Sequence, residues 1–464
     1  MKRIILMILA AAIIFCLTNI NKNKDHQQNI YVATDGNDEY DGSKSKPFRT
    51  LKKAAQVAEA GTTVHIREGV YKEKLVIMHS GKKSKEIVFK PYKDEKVVLS
   101  GEELKIEEGD TSIIIIDNKN HVTIHGLTVQ DLTTELASET VMGIFVTGSS
   151  SHITLDSNHV EQIETHAKEG NGHGIAVYAT GTMEDIAITN NTVQELKLGA
   201  SEALVLNGNI DGFKIEHNHV HSNDNIGIDL IGYEGVSTDH DNDFVRNGVV
   251  SNNTVHGIST YGNPAYGEEY SAAGIYVDGG RDITIEENTV YQNDIGIEAT
   301  SEHGGKNAEN IQIINNTIYE NFLTGISIGG YDENRGGTIN SYIAQNILYR
   351  NDTLNLDGGQ LMLQHDVKDN TIEKNILTAG PSRIFIANFF TTNENTILSH
   401  NIFHREKGKD GIWIWKDEEY SSFPEFKWAS NSDEESSYLE PNYVNPEAYD
   451  FNLKEDSVAR EIMD

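Results

Sequence analysis

Carboxylates collect in a group of short, similar segments near the middle of the chain. Asp229 lies in GIDL, Asp278 in YVDGG and Glu298 in GIEA, and Glu302 and His303 follow in TSEHGG. Two carboxyl groups held on either side of a glycosidic bond can hydrolyse it by acid–base catalysis. Grouped carboxylate oxygens also bind Ca²⁺. The alternative is a solvated acidic face on a protein that is acidic throughout.

The orientation of these residues follows from strand periodicity. Ile228 and Leu230 flank Asp229 and are predicted to point into a core, so Asp229 points to the outside. Other segments place one outward residue each at the equivalent position. We expect these residues to form a column on an outer wall, about 4.8 Å apart from strand to strand. The column comprises Phe145, Ala176, Val205, Asp229, Tyr276, Glu298 and Ser327.

A repeated pattern predicts the scaffold that carries this column. Nine segments, such as ITLDSNHV and ITIEENTV, alternate apolar and polar residues and end in Asn, any residue, then an aliphatic or aromatic residue. Short strands at a recurrent period predict a solenoid of parallel strands. We expect the asparagines to stack into an amide ladder and to tolerate a left-handed turn. They are Asn158, Asn191, Asn218, Asn253, Asn288, Asn316, Asn346, Asn375 and Asn401.

The ends of the chain differ from the repeat. Residues 1–23 combine a basic start with the apolar run IILMILAAAIIFCL, which predicts a signal peptide or an N-terminal anchor. The protein is therefore expected to be exported, either secreted or held at the cell surface. Cys16 is the only cysteine, so the chain forms no intrachain disulfide.

Three further regions follow the targeting segment. Residues 24–101 are predicted to form an N-terminal cap and the first coils, 102–405 the repeats, and 406–464 an irregular C-terminal cap. A helix is predicted over residues 51–60, with Thr50 as its N-cap and Gly61 just beyond its end. This helix is expected to cover the open end of the solenoid.

The charge balance excludes two classes of partner. The 71 acidic and 38 basic residues give a net charge of −33. Nucleic acids and anionic membranes would repel such a surface, and no protein partner is indicated. His217, His219 and His221 in EHNHVH alternate along a strand and so share a face. Zinc is not favoured there, because no cysteine supports the site.

The N-terminal segments carry a family resemblance. IYVATDGNDEYDGSKSKPFRTLKKA, AGTTVHIREGVY and SGKKSKEIVFK resemble the opening of secreted right-handed parallel β-helix proteins of the pectate-lyase-like superfamily. With the Asn-anchored coils, the resemblance covers most of residues 29–457. It implies an all-β fold, a right-handed parallel β-helix with an N-terminal capping helix. Polysaccharide lyase family 9 is the nearest relative that we can name.

The resemblance also implies a calcium site and a reaction. NDNIGIDL is similar to the calcium segment of family 9, which implies Ca²⁺ ligands at Glu202, Asp224 and Asp229. The implied reaction is Ca²⁺-dependent β-elimination on an acidic, uronate-containing polysaccharide. The chain departs from the family at Asn225 and Ile226, where the motif has aspartates. It also has Tyr276 in place of the catalytic lysine, so Tyr276 would be the substitute base.

Two long insertions flank the carboxylates, residues 233–248 and 256–273, and insertions on a solenoid often build the binding site. Tyrosine rings in the second insertion could stack on sugars or pack the loop. Arg246 could pair with a substrate carboxylate or with Asp241 or Asp243. The candidate substrate-binding residues are Arg246, Tyr261, Tyr266, Tyr270 and His303.

Three functions therefore remain open. The first is the Ca²⁺-dependent lyase. The second is a glycoside hydrolase, in which Asp278 and Glu298 fit the spacing of about 5–5.5 Å for retention and Glu302 offers the 6.5–9.5 Å for inversion. The third is a non-catalytic glycan-binding surface protein. The candidate catalytic residues are Tyr276, Asp278, Glu298 and Glu302.

Overall fold

The fold is a right-handed parallel β-helix with three walls, seen in a computed structural model that describes residues 28–106, 109–406, 408, 410–432 and 435–463. The predicted signal peptide or anchor lies outside these residues. In the part of the chain that is described, no helix combines the length and hydropathy required to cross a membrane.

The first wall carries the predicted column. Two strands, Asn171–Thr189 and Leu204–Glu216, run through a corner and belong to both the first and the second wall. The other strands of the first wall are Leu75–Val76, Asp110–Asp117, Thr140–Thr147, Ile228–Ile231, Ala273–Asp278, Ile295–Thr300, Thr324–Ile328, Leu361–Leu363, Ile384–Ala387 and Ile412–Trp415.

The second and third walls complete each coil. The second wall adds Gln28–Val32, Thr62–Ile66, Ile87–Pro91, Asn120–His125, Ser151–Asp156, Val245–Ser251, Arg281–Glu286, Asn307–Ile314, Gly337–Ile339, Tyr342–Ala344, Val367–Lys368, Thr371–Glu373 and Ile397–Ser399. The third wall contains Gly69–Tyr71, Val97–Ser100, Thr128–Gln130, His159–Glu161, Thr192–Gln194, His219–Asn223, Thr254–Ile258, Thr289–Tyr291, Thr317–Tyr319, Ile347–Tyr349, Ile376–Thr378, Ile402–His404 and Ser437–Tyr438.

Four short strands lie outside the walls. Leu132–Thr134 and Ile163–Thr165 pair in parallel, and Tyr443–Asn445 and Asp450–Leu453 pair in antiparallel. A further strand, Glu418–Tyr420, turns back antiparallel on the last strand of the first wall. The α-helices are Leu51–Val57, Phe423–Ser430 and Ala459–Met463, and the 3₁₀ turns are His240–Asn242 and Pro446–Ala448.

The predicted asparagine ladder is confirmed. The Asn253 side chain donates to Asn288 Oδ1 at 3.0 Å and to the Ile215 carbonyl at 2.9 Å, and its Oδ1 accepts from the backbone and side chain of Asn218. The left-handed backbone lies one residue earlier, at Asn252 in this coil. The ladder therefore satisfies buried backbone groups at a corner where regular strand pairing stops.

A second ladder of buried amides runs along another corner, and the sequence pattern did not predict it. Asn293 donates to Asn321 at 3.1 Å, Asn321 donates to Asn351 at 2.8 Å, and Asn351 donates to Gln360 at 3.0 Å. These residues lie at the start of the first wall, so they fix the entry of the strands that carry the carboxylates.

The ends of the solenoid are covered differently. Thr50 caps the first helix, as predicted, because its hydroxyl accepts from the Lys53 N–H. The helix ends at Val57 with Ala58 as its C-cap, so Gly61 lies in the following turn, not at the helix end. At the other end, Phe426 of Phe423–Ser430 is fully buried against Trp413.

Candidate functional site

Strand pairing on the first wall confirms the predicted column. Asp229 is the register partner of Val205 on one side and Tyr276 on the other. Tyr276 then pairs with Glu298, and Glu298 with Ser327. Two carboxyl groups are thus separated by one tyrosine along the solenoid axis.

This column is buried, although its residues point away from the main core. Asp229, Tyr276 and Glu298 are only 2%, 5% and 7% exposed. Tyr276 packs with Ala273 and Ile295, and Ile226 and Leu323 cover this cluster. The site is therefore a covered patch of the wall rather than an open acidic face.

Glu298 is held by two donors. The Ser327 hydroxyl lies 3.1 Å from Glu298 Oε1, and the Gln364 amide nitrogen lies 3.4 Å from the same oxygen. Burial raises the pKa of Glu298 to about 7, against the hydrogen bond from Ser327, which lowers it. Glu298 can therefore gain or lose a proton near neutral pH.

Asp278 is the second buried acid on this wall. Its Oδ1 accepts a hydrogen bond of 2.6 Å from the backbone N–H of Glu302. Burial raises the pKa of Asp278 well above its ordinary value, and the charges of Glu302, Glu234 and Glu298 raise it further. The surroundings of Asp278 therefore favour the protonated form of its carboxyl group.

Asp278 and Glu298 are diagonal neighbours, because the register partner of Asp278 is Thr300. One strand spacing of about 4.8 Å and two residue rises of about 3.3 Å place their Cα atoms roughly 8 Å apart. The two residues therefore do not face each other directly across the strands, and the short spacing expected between their carboxyl groups stays a prediction.

Asp229 has an unpartnered oxygen. Its Oδ1 is buried and has no hydrogen-bond partner. Burial, followed by the charges of Glu202 and Asp278, raises the pKa of Asp229 well above its ordinary value. A buried carboxylate without a donor is costly, so Asp229 requires a proton or a cation.

Tyr276 lies in surroundings that oppose a role as base. Burial raises the pKa of the Tyr276 phenol well above its ordinary value, and the charges of Asp278 and Glu298 raise it further. A catalytic phenolate would need a lowered pKa. The substitute base expected at Tyr276 is therefore not supported.

A pocket of about 310 Å³ opens beside this column. Glu202 and Glu234 line it, together with His173 and Tyr178. Burial, followed by the Glu234 charge, raises the pKa of Glu202 to about 8. His173 donates from Nδ1 to the Glu202 carbonyl, and Tyr178 donates to His173 Nε2 at 3.2 Å.

The predicted calcium ligands are not brought together as a set. Asp224 Oδ1 accepts from the backbone N–H of Leu198 at 2.7 Å, and its nearest charges are Lys197 and Glu164. Burial raises the pKa of Asp224 to about 6. No three carboxylates in the described parts of the chain have ligand atoms within 4.8 Å of one another. The donor set of Glu202, Asp224 and Asp229 therefore does not fit Ca²⁺.

Arg246 holds its own insertion rather than facing the site. Its guanidinium lies 3.3 Å from Asp211 and 3.0 Å from Asn209 Oδ1. Asp243 instead accepts from the backbone of Gly235 and Ser237. The prediction of Asp241 or Asp243 as the partner of Arg246 is therefore wrong, and its pairing with a substrate carboxylate stays a prediction.

The second insertion presents aromatic side chains. Tyr261 is 50% exposed, and its ring stacks on Tyr270 with centroids 4.8 Å apart. Tyr266 is half-buried, and burial raises the pKa of its phenol. Buried Asp294 anchors this loop by accepting from the backbone of Thr260, among others. Tyr261 is thus held in place with one ring face available for a sugar.

His303 and Glu302 lie on the turn that follows Glu298. Glu302 is exposed, and the guanidinium of Arg335 donates to the Glu302 carbonyl at 3.2 Å. His303 Nε2 is buried without a hydrogen-bond partner. Sequence reasoning missed Arg335 and Gln364. Arg335 lies in the equivalent turn one coil further on, and Gln364 directly follows the equivalent strand two coils further on.

Comparison with known proteins agrees with this architecture. A family model described as a Pel9A-like, right-handed β-helix region matches residues 30–232, and a right-handed β-helix model matches residues 234–423. The uncharacterized protein YwoF of Bacillus subtilis is 56% identical over 435 residues, covering 94% of this chain and 92% of its own. The chain belongs to the pectate-lyase-like superfamily of right-handed β-helix proteins.

A more distant relative and a solved structure of similar fold bear names of enzymes. Pectate lyase PEL9 of Emericella nidulans is 33% identical over 98 residues, which cover 21% of this chain and 24% of that protein. The crystal structure of a GH136 lacto-N-biosidase from Eubacterium ramulus superposes with a TM-score of 0.54 at 14% identity. The superposition covers 88% of this chain and 68% of the lacto-N-biosidase chain. At such identity the superposition shows the fold alone.

Proposed function

We propose that the protein is a polysaccharide-cleaving enzyme that hydrolyses glycosidic bonds with Asp278 and Glu298 as its acid–base pair. The observation that carries this proposal is the contrast between the two carboxyl groups. The pKa of Glu298 is about 7, and two side-chain donors stabilise its carboxylate. The pKa of Asp278 is well above its ordinary value. Paired acids with separated pKa values are the arrangement that assigns one as acid and one as base.

The roles follow from these protonation states. Because burial favours its protonated form, Asp278 gives its proton to the oxygen of the leaving sugar. Glu298 is ionised above about pH 7 and takes a proton from the attacking water. The separation of the two carboxyl groups would decide between retention, at about 5–5.5 Å, and inversion, at about 6.5–9.5 Å.

The substrate class rests on the surroundings of the pair. Tyr261 offers an exposed ring for stacking on a pyranose face. Arg335, beside Glu302, supplies a cation that suits the carboxylate of a uronate sugar. The relative named pectate lyase also supports an acidic polysaccharide. An exported enzyme would meet such a polymer, and residues 1–23 are proposed to direct export.

A Ca²⁺-dependent lyase is the second candidate. The 98-residue similarity to a pectate lyase favours it, and so does the unpartnered oxygen of Asp229. The absence of a suitable base at this position argues against the lyase. Tyr276 occupies the position expected to hold the catalytic lysine, and its raised pKa keeps the phenol protonated. The ligand atoms of Glu202, Asp224 and Asp229 also do not all lie within 4.8 Å of one another, which does not favour a Ca²⁺ site built from these three.

Substitution kinetics test this assignment. Asp278→Asn and Glu298→Gln are expected to lower kcat by a factor on the order of 10² to 10⁴, because each removes a proton-transferring group. Glu287→Gln is the control, an exposed carboxylate on the same coil at a different corner. All three proteins should keep the wild-type circular dichroism spectrum.

Glu202→Gln separates the two candidates. With a pKa of about 8, Glu202 is mostly protonated at pH 7, and glutamine resembles that neutral form. The hydrolase therefore tolerates Glu202→Gln with a small loss of kcat. A loss as large as that of Glu298→Gln would move the chemistry, or a bound cation, to Glu202 and contradict the proposal. If the wild type binds glycans without turnover, the protein is a non-catalytic glycan-binding protein.

A further inference from the structure

Three histidines form a cluster on the third wall, away from the carboxylates. His219 and His221 alternate on the strand His219–Asn223, so they share one face of it. His256 is the register partner of His221 on the next strand. The ligand nitrogens of all three lie within 4.8 Å of one another. The third histidine of the cluster is therefore His256, and not His217 as the alternating sequence pattern had suggested.

Aromatic stacking accounts for only part of this arrangement. His221 and His256 stack with centroids 4.8 Å apart, and the stack continues through Tyr291 and Tyr319. His219 lies in the neighbouring column of the wall, outside that stack. Its Nε2 nevertheless points at His256 Nε2, and the two nitrogens are 2.9 Å apart. At this distance one nitrogen donates a hydrogen bond to the other, or a cation takes the place of that proton.

We propose that His219, His221 and His256 bind one divalent transition-metal ion of the Zn²⁺ class. Three imidazoles are a common zinc donor set, and zinc–nitrogen bonds of about 2.0–2.1 Å separate tetrahedral ligand atoms by about 3.3 Å. The three nitrogens already lie within 4.8 Å of one another, so the separations need to shorten by at most about 1.5 Å. Imidazole nitrogen favours Zn²⁺ over the oxygen-seeking Ca²⁺ and Mg²⁺.

The surroundings of the cluster suit a metal. The Ser222 hydroxyl lies 3.1 Å from His221 Nδ1, so it can fix the orientation of that ring and leave Nε2 for the ion. The rings are partly exposed, so an ion can enter from solvent.

Metal titration of the purified chain, carrying no polyhistidine tag, tests this site. Isothermal titration with Zn²⁺ is expected to show one equivalent bound, and Co²⁺ should give the intense visible absorption of a tetrahedral site. His219→Gln and His256→Gln should each weaken binding by a factor on the order of 100, since even outer-shell changes cost 10–100-fold.

Two control variants make the result decisive. His152→Gln alters a histidine of another stacked pair, His121 and His152, and should keep the full equivalent of metal. Glu202→Gln changes the first wall and should also keep it, so this site can fail independently of the proposed hydrolase. The proposal is overturned if the wild type binds no Zn²⁺ or if His219→Gln and His256→Gln bind it as the wild type does.

Discussion

The Ser327 hydroxyl donates a hydrogen bond of 3.1 Å to the Glu298 carboxylate from the next strand of the first wall. This contact stabilises the ionised form of Glu298 against the effect of burial. It therefore sets the pH above which Glu298 can act as a base. The same wall pairs Glu298 with Tyr276, so its carboxyl group lies between a protonated phenol and a hydroxyl donor.

Ser327→Ala should shift the acidic limb of the pH profile of kcat upwards by about one pH unit. A hydrogen bond to a charged group contributes roughly 1.5–3 kcal/mol, and 1.36 kcal/mol corresponds to one pKa unit. The Gln364 donor remains in this variant, so the expected rise in the pKa of Glu298 lies at the lower end of that range. Ser341→Ala, which removes a buried serine from the second wall, should lower stability and leave the limb in place. An unmoved limb in Ser327→Ala would argue against Glu298 as the base.

Stability should fall as the pH rises from about 4 to about 8. Glu298 and Glu202 have folded pKa values of about 7 and about 8, above those of the unfolded chain. The folded state therefore binds more protons, and the free energy of unfolding decreases with pH until these groups are ionised. Thermal unfolding in the presence of chelator, followed across this range, measures the slope.

Asp229→Asn should reduce the slope of unfolding free energy against pH and raise Tm at pH 8. Asparagine removes a buried charge that the wild type must carry or protonate. At pH 5 the two proteins should unfold at similar temperatures. Asp282→Asn, at an exposed position, serves as the control and should follow the wild type. A lower Tm for Asp229→Asn at pH 8 would mean that the Asp229 charge is stabilised in the folded protein.

The asparagine ladder should be sensitive at its centre. Asn253→Ala removes the acceptor for Asn218 and the donor to Ile215, and each buried polar group left unpaired costs about 1–3 kcal/mol. Chemical unfolding should show a loss of several kcal/mol or an insoluble protein. Asn452→Ala, an exposed change near the C-terminus, should unfold as the wild type does. Equal stability of the two variants would show that the ladder is not stabilising.

The exposed tyrosine of the second insertion should act on substrate binding. Tyr261→Ala is expected to raise KM by a factor of about 2 to 10 with little change in kcat, because stacking contributes roughly 0.5–1.5 kcal/mol. Trp428→Ala offers a matched aromatic change, since Trp428 is 85% exposed on the helix Phe423–Ser430. It should leave both constants unchanged. A fall in kcat alone for Tyr261→Ala would place that ring in the chemistry.

The column of the first wall was predictable from sequence because strand periodicity fixes which residues share a face. Asp229, Tyr276 and Glu298 are register partners for that reason. Their burial was not predictable, because it depends on neighbouring side chains such as Ile226 and Leu323 that cover the patch. An outward position on a solenoid wall is therefore not evidence of exposure.

Errors arose near the ends of strands. Asp224 precedes the strand Ile228–Ile231, and its carboxylate accepts from the backbone of Leu198. Arg246 is the second residue of the strand Val245–Ser251, where Asp211 of the previous coil is its register partner. Such contacts depend on which coils are adjacent, information that local sequence spacing does not contain.

The chemistry of the products tests the central proposal most directly. The purified chain would be incubated with polygalacturonate and a panel of other glycans, with Ca²⁺ or with chelator. New reducing ends and the ultraviolet absorbance of unsaturated uronides would be followed together. Hydrolysis by Asp278 and Glu298 predicts reducing ends without absorbance, unaffected by chelator and lost in Glu298→Gln. Absorbance that rises only with Ca²⁺ would contradict hydrolysis and establish a lyase.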